Sequence, residues 1–242
     1  MFCAMNILGI ETATERLSVA LLIDSTIHKR GADSRSSHCE LLTGFIRELI
    51  EECGITVNDI DGVAVSVGPG SFTGLRIGIA TAMGLAYGLG LKATGINTLT
   101  GLAWNAAKPG TLVCPLIDAR RSQVYTAVYR LNESLPDVVM KPSAVPIAKL
   151  LEMLRSPGEP ITVTGPFAEQ LRKNLEKTCG TLLSFILPES AKPSAEAIAR
   201  IGFMMFQRGE TVNPAELKPV YLRRSDAEIA RDNRGCIKFK CP

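Results

Sequence analysis

Histidine is nearly missing from this chain of 242 residues, which holds two. They are His28 and His38, separated by a predicted strand end and a loop, so no two imidazoles share one face of a helix. A helical His-x-x-x-His metal site is thereby excluded, and no Ser/His/Asp or Cys/His nucleophile set stands out among the many serines. The seven cysteines are odd in number, scattered and without a Cys-x-x-Cys pair. That usage predicts reduced thiols in a cytosolic protein, Cys236 and Cys241 included. Residues 1–10 are apolar but carry neither a basic leader nor a small-residue cleavage pattern, which argues against a signal peptide. The longest uncharged helix-like run, 77–91, is too short and too rich in glycine to span a bilayer. A cytoplasmic protein with no membrane contact is expected.

What is present is a composition fit for a packed core: 46% hydrophobic and 21% charged residues. One large domain or two small lobes both suit it. The net charge of +3 comes from 27 basic and 24 acidic residues, and its placement is informative. From about residue 222 onward six basic residues, among them Arg223 and Arg224, face three acidic ones, so the tail carries the whole surplus. Such a tail can touch phosphate backbones, although a solvated mixed-sign end is the commoner outcome.

The first half reads as three strands, a helix, a strand, a helix, a strand and a helix. Strands are predicted over 6–11, 17–23 and 27–32, with a turn at Asp24-Ser25. Ser37-x-x-Glu40 has capping-box spacing and opens a helix whose paired apolar positions (Leu41/Leu42, Phe45/Ile46, Leu49/Ile50) form one broad stripe ended by Gly54. The near-continuous apolar run 63–67 suits a strand covered on both faces. Ser71 then caps a helix over 71–89, a short strand follows over 92–96, and Thr98 opens another helix. This order is that of a ribonuclease H-like lobe.

A fainter echo follows in the second half. Segments 112–118 and 124–130 form a hairpin, with further strands at 161–164 and 182–186 and an apolar helix from Pro193-Ser194 to 207. Prolines make 136–146 and 156–160 surface loops. Both hairpins run from an apolar strand ending in an acid, Glu11 or Asp118, through a polar turn. Two related lobes are expected, 1–108 and 109–242.

Gly68-Pro69-Gly70-Ser71 reads either as a phosphate-cradling turn at a helix N-terminus or as a tight strand-to-helix turn. It lacks the Lys and Ser/Thr ending of a Walker motif. The helix it opens carries one charge, Arg76, and two rows of small residues spaced by four, Gly74/Gly78 and Ala80/Gly84/Gly88. Each interior glycine costs up to about 1 kcal/mol relative to alanine. Close packing is the compensation, either on the chain's own sheet or on a helix of another chain.

Four blocks carry a family resemblance: residues 7–14, residues 68–78, Ile117-Asp118-Ala119-Arg120-Arg121 with Val124-Tyr125, and Pro219-Val220-Tyr221-Leu222-Arg223. On them the chain resembles the TsaB (YeaZ) family. The resemblance implies an α/β, two-lobed actin-like ATPase fold with a reduced second lobe, built on ribonuclease H-like lobes. It further implies a non-catalytic subunit of the machinery that places a threonylcarbamoyl group on the adenosine beside the tRNA anticodon. A TsaD-like catalytic paralogue and a TsaE-like ATPase are the implied partners, tRNA is met through the complex, and a homodimer is one form open to the chain when alone. The rival reading is a free-standing ATPase or small-molecule kinase.

Within that frame Glu11, Thr12, Thr14, Gly70 and Ser71 are the phosphate-proximal candidates, against the plainer reading of Thr12 and Thr14 as turn residues. The second-lobe turn holding Asp118, Arg120 and Arg121 has no glycine, so it denies the close backbone approach a second phosphate clamp needs. ATP or ADP is therefore admitted only at the boundary with a partner, and no resident cofactor or metal is expected. The helices 37–53 and 71–89 are expected to present the partner face through His38, Leu41, Leu42, Phe45, Gly74, Arg76 and Gly78.

Overall fold

The computed structural model describes residues 5–33, 38–106, 109–155, 158–186 and 191–223. Three antiparallel strands begin it: β1 (Ile7–Glu11), β2 (Arg16–Ile23) and β3 (Thr26–Asp33). Helix α1 (His38–Glu52) leads to β4 (Gly62–Gly68), which lies parallel to β1 with Ile7 opposite Gly62. Helix α2 (Phe72–Gly88), β5 (Ala93–Asn97) and α3 (Thr98–Trp104) complete the first half. Ser71 caps α2 as expected, its hydroxyl accepting the Gly74 N–H at 3.2 Å. The proposed capping residue Ser37 and the side chain of His38 lie outside the described residues.

The second half repeats the plan with β6 (Leu112–Asp118), β7 (Gln123–Arg130), β8 (Asp137–Pro146), α4 (Ile147–Met153), β9 (Ile161–Thr164), α5 (Ala168–Cys179) and β10 (Leu183–Phe185). The sheets run β3-β2-β1-β4-β5 and β10-β9-β6-β7-β8. Renumbered within its own half, the second order is the first one reversed in listing, so one ribonuclease H-like topology occurs twice. This is the two-lobed actin-like arrangement. The segment 136–146 is a correction: it is strand β8, not a loop. Its prolines are tolerated because β8 is an edge strand, hydrogen-bonded on one side only and bulged opposite Thr126 and Val128.

Two of the helices pack on the sheet of the other half. Helices α1 and α2 cover one face of the first sheet, burying Leu42, Leu49, Leu75 and Ile79 against Leu8, Ile10, Val63 and Val65. The other face is covered by α6 (Ala195–Gln207), whose Ile198 and Ile201 pack on Ile7, Ala20, Ala64 and Ile96. In exchange α3 sends Leu99 and Leu102 onto Val113, Ile117 and Tyr129 of the second sheet. A cut at 108/109 separates the sheets but not the cores, because each borrows a helix across it. Among the described residues no helix is long and apolar enough to cross a membrane.

Candidate functional site

The corner where β1 turns into β2 meets the start of α2, and the glycine block explains the meeting. A Cβ at Gly70 would overlap the Ala13 carbonyl oxygen, one at Gly74 the Thr12 carbonyl oxygen, and one at Gly78 the Thr12 hydroxyl. Spaced by four, the three positions open a groove along the first turns of α2, and the 12–13 backbone lies in it. The Ser71 N–H donates to the Ala13 carbonyl at 2.6 Å, which fixes the turn to the helix end.

Glu11 closes the same corner from below. It is buried, and its Oε1 accepts the Ala13 N–H at 2.6 Å and the Ser66 hydroxyl at 3.0 Å. Burial pushes its carboxyl up to about 7, while the N–H of Ala13, the Ser66 hydroxyl and the N–H of Thr12 pull the other way. Thr12 is fully buried, and its hydroxyl is one of three buried side-chain oxygens without a hydrogen-bond partner among the described residues. Thr14 turns its Oγ1 to the Arg16 N–H at 3.4 Å, and Ser71 spends its own on the cap.

The five phosphate-proximal candidates thus share one corner but not one cradle. Carbonyl oxygens of the chain fill the glycine groove, the carboxylate is sealed in, and the helix-end donors at Ser71 and Gly74 have partners. The groove of Gly70, Gly74 and Gly78 is therefore taken up by the chain's own Thr12 and Ala13. Among the described residues no three His, Cys, Asp or Glu side chains gather as a metal cluster.

The equivalent corner of the second half is built differently. Between β6 and β7 the residues Arg120, Arg121 and Ser122 all take positive φ, 63°, 51° and 57°, without a glycine among them. Such backbone is costly for residues with a Cβ. It is held by the Arg120 N–H on Asp118 Oδ1 at 2.7 Å, the Gln123 N–H on the Arg120 carbonyl at 3.0 Å and the Ile147 N–H on the Ser122 carbonyl at 3.1 Å. The Arg120 side chain is exposed, 3.4 Å from Asp118.

A strap joins the two corners. The Val220 N–H donates to the Val67 carbonyl at 2.7 Å, the Tyr221 ring stacks on Phe72 at 5.0 Å, and Arg223 Nη1 donates to the Ala119 carbonyl. The Arg76 guanidinium lies 3.8 Å from the Phe72 ring centre and its Nε–H donates to the Tyr221 hydroxyl at 3.3 Å. Phe72 and Tyr221 were not among the expected site residues, because 149 positions separate them in sequence and only the fold stacks them. Their presence in two motif blocks was the available signal. Most of the basic tail, from Arg224, lies outside the described residues.

The expected partner face needs correcting. Gly74 and Gly78 are buried against Thr12, and Leu42 is buried in the core, so none of the three is open to another chain. The second row behaves oppositely: Ala80, Gly84 and Gly88 face outward, and a Cβ at Gly84 or Gly88 would meet nothing within 4 Å among the described residues. Tyr87, 77% exposed, stands beside them, while Leu41 and Phe45 are half-buried and Arg76 is exposed.

Comparison with known proteins bears on this geometry. The TsaB protein of Escherichia coli is 36% identical over 231 residues, covering 92% of this chain and 96% of its own length. The TsaB protein of Bacillus subtilis is 30% identical, over 93% of this chain and 96% of its own. The chain belongs to the TsaB (YeaZ) family. The solved YeaZ of Pseudomonas aeruginosa superposes with a TM-score of 0.76 at 26% identity, over 90% of this chain and all of that one. A family model described as TsaD, tRNA N6-adenosine threonylcarbamoyltransferase, matches residues 32–231.

Proposed function

We propose that this chain is the non-catalytic scaffold and activator subunit of the complex that transfers a threonylcarbamoyl group to the adenosine next to the anticodon of tRNA. The E. coli and B. subtilis relatives are both named tRNA threonylcarbamoyladenosine biosynthesis proteins, which sets the pathway. The observation that carries the non-catalytic part is the closed corner: Thr12 and Ala13 occupy the groove of Gly70, Gly74 and Gly78, and Glu11 is sealed beneath them. The histidines agree with it, since His28 lies in strand β3 and His38 begins helix α1.

In this reading the chain acts in the cytoplasm, pairs with a TsaD-like catalyst and is joined by a TsaE-like ATPase. The pairing face is the outward side of α1 and α2: Leu41, Phe45, Arg76, and the row Ala80, Gly84 and Gly88 with Tyr87. Small residues there let a partner helix approach closely, while Tyr87 supplies apolar area.

Reconstitution with TsaD-like and TsaE-like proteins, tRNA and the threonylcarbamoyl donor tests the assignment. Omitting the chain is expected to abolish tRNA modification, and adding it back as Glu11→Gln restores it. Turnover of ATP by the isolated chain in the presence of magnesium would instead establish the free-standing ATPase or kinase reading.

A further inference from the structure

A cleft of about 540 Å³ opens on the α6 side of the first sheet, between β2, β3 and the start of α6. Of the residues discussed at the β1–β2 corner it shares only Arg16, whose N–H meets Thr14 there. Its floor is tied by hydrogen bonds: Ser18 Oγ accepts the Ala195 N–H at 3.0 Å, and the Asn105 amide donates at 2.9 Å to Ser194, whose hydroxyl caps the Ala197 N–H at 3.3 Å. Ser194 thus directs the positive end of the α6 dipole toward the cleft.

Its walls are cationic. Arg16, Lys29 and Lys192 converge from three segments of the chain, and Gly31 adds no side chain between them. Arg30 lines it too but turns to Glu48 and Glu52 of α1. Two acids at the rim hold the three cations. Asp33 accepts Lys192 at 3.1 Å and Arg16 at 3.4 Å, and Glu196 accepts Lys29 at 2.8 Å and Arg200 at 3.3 Å. Lys192 first, then Arg16, holds the Asp33 carboxyl below the usual carboxylate range, and Lys29 does the same to Glu196.

Such exposed pairs are each worth at most about 1 kcal/mol, so the acids are replaceable occupants. A phosphate brings nearly two charges and three acceptor oxygens to the same place, matching the Arg16 fork and two ammonium groups. The concavity favours a small molecule: pockets for such ligands span about 300–1,000 Å³, whereas nucleic acid is met by an open basic stripe.

We infer that the cleft between β2, β3 and the α6 N-terminus binds a small phosphorylated ligand through Arg16, Lys29 and Lys192. This site does not depend on the scaffold reading, and its test leaves that reading untouched. Isothermal titration of the full chain with sodium pyrophosphate at low ionic strength should show saturable one-site binding, with ADP competing for it. The double variant Lys29→Gln/Lys192→Gln, shown folded by circular dichroism, should bind about tenfold more weakly or worse. Glu196→Gln, which removes a competing acid, should bind several-fold more tightly, and Lys149→Gln on the distant α4 should bind as the parent does. The inference is overturned if the parent chain shows no saturable binding, if the double variant retains full affinity, or if Lys149→Gln loses as much. It is likewise overturned if a short RNA duplex binds more tightly than pyrophosphate and loses its binding in the same double variant.

Discussion

Helix α2 carries two glycine rows that look alike in sequence and do opposite things. Gly74 and Gly78, with Gly70 before them, are buried against the β1–β2 turn, where no side chain fits. Gly84 and Gly88 look into open space, where an added Cβ would meet nothing within 4 Å among the described residues. The first row is a requirement of the fold. The second weakens the helix with no packing return among the described residues, which is why we propose that it serves a partner.

The largest effect should come from breaking the inward row. Gly74→Leu drives a side chain into the Thr12 carbonyl, and we expect a loss of about 3 kcal/mol or more, seen as a lowered urea midpoint or failure to fold. The sealed carboxyl beneath it gives the next effect. Because the Glu11 carboxyl sits at about 7 in the fold and near 4.5 in an unfolded chain, the folded state holds the proton more tightly. Its contribution to stability is complete below about pH 4.5 and is lost as pH rises through about 7, a span of about 3 kcal/mol. Glu11→Gln should flatten that part of the profile and leave the chain more stable than the parent at pH 8. Chemical denaturation from pH 4.5 to 8 measures both.

The outward row should respond with the opposite sign. Gly84→Ala ought to stabilise the isolated chain by up to about 1 kcal/mol, since alanine is the better helix former and space is open. A smaller gain, a few tenths of a kcal/mol to about 1, is expected from Ser122→Gly in the second-half turn, where left-handed backbone lacks a glycine. Thermal melts of the two variants separate glycine wanted for space, glycine wanted for φ and glycine wanted by neither.

Much of the architecture was legible before the coordinates. Apolar runs gave β1, β2, β4, β6 and β9 nearly to the residue, because strands buried on both faces need little else. Strand β8 was hidden by prolines that only an edge position excuses, and α5 by a thin stripe of Ala168, Leu171 and Leu175 in an otherwise polar segment. The site was less legible. A spacing of four tells that glycines share a helix face, but not whether that face looks inward at Thr12 or outward to another chain. The hydrogen bond that holds the buried Glu11 comes from Ser66, on a strand 55 positions away, and no local pattern marks it. The cleft at α6 joins residues from both ends of the sequence, and no local pattern marks it.

One measurement bears most directly on the division of labour along α2. Sedimentation of Gly84→Leu with a TsaD-like partner, beside circular dichroism of the variant alone, should show an intact fold with association lost. Unchanged association by the folded variant would contradict the account and leave the outward row without a function.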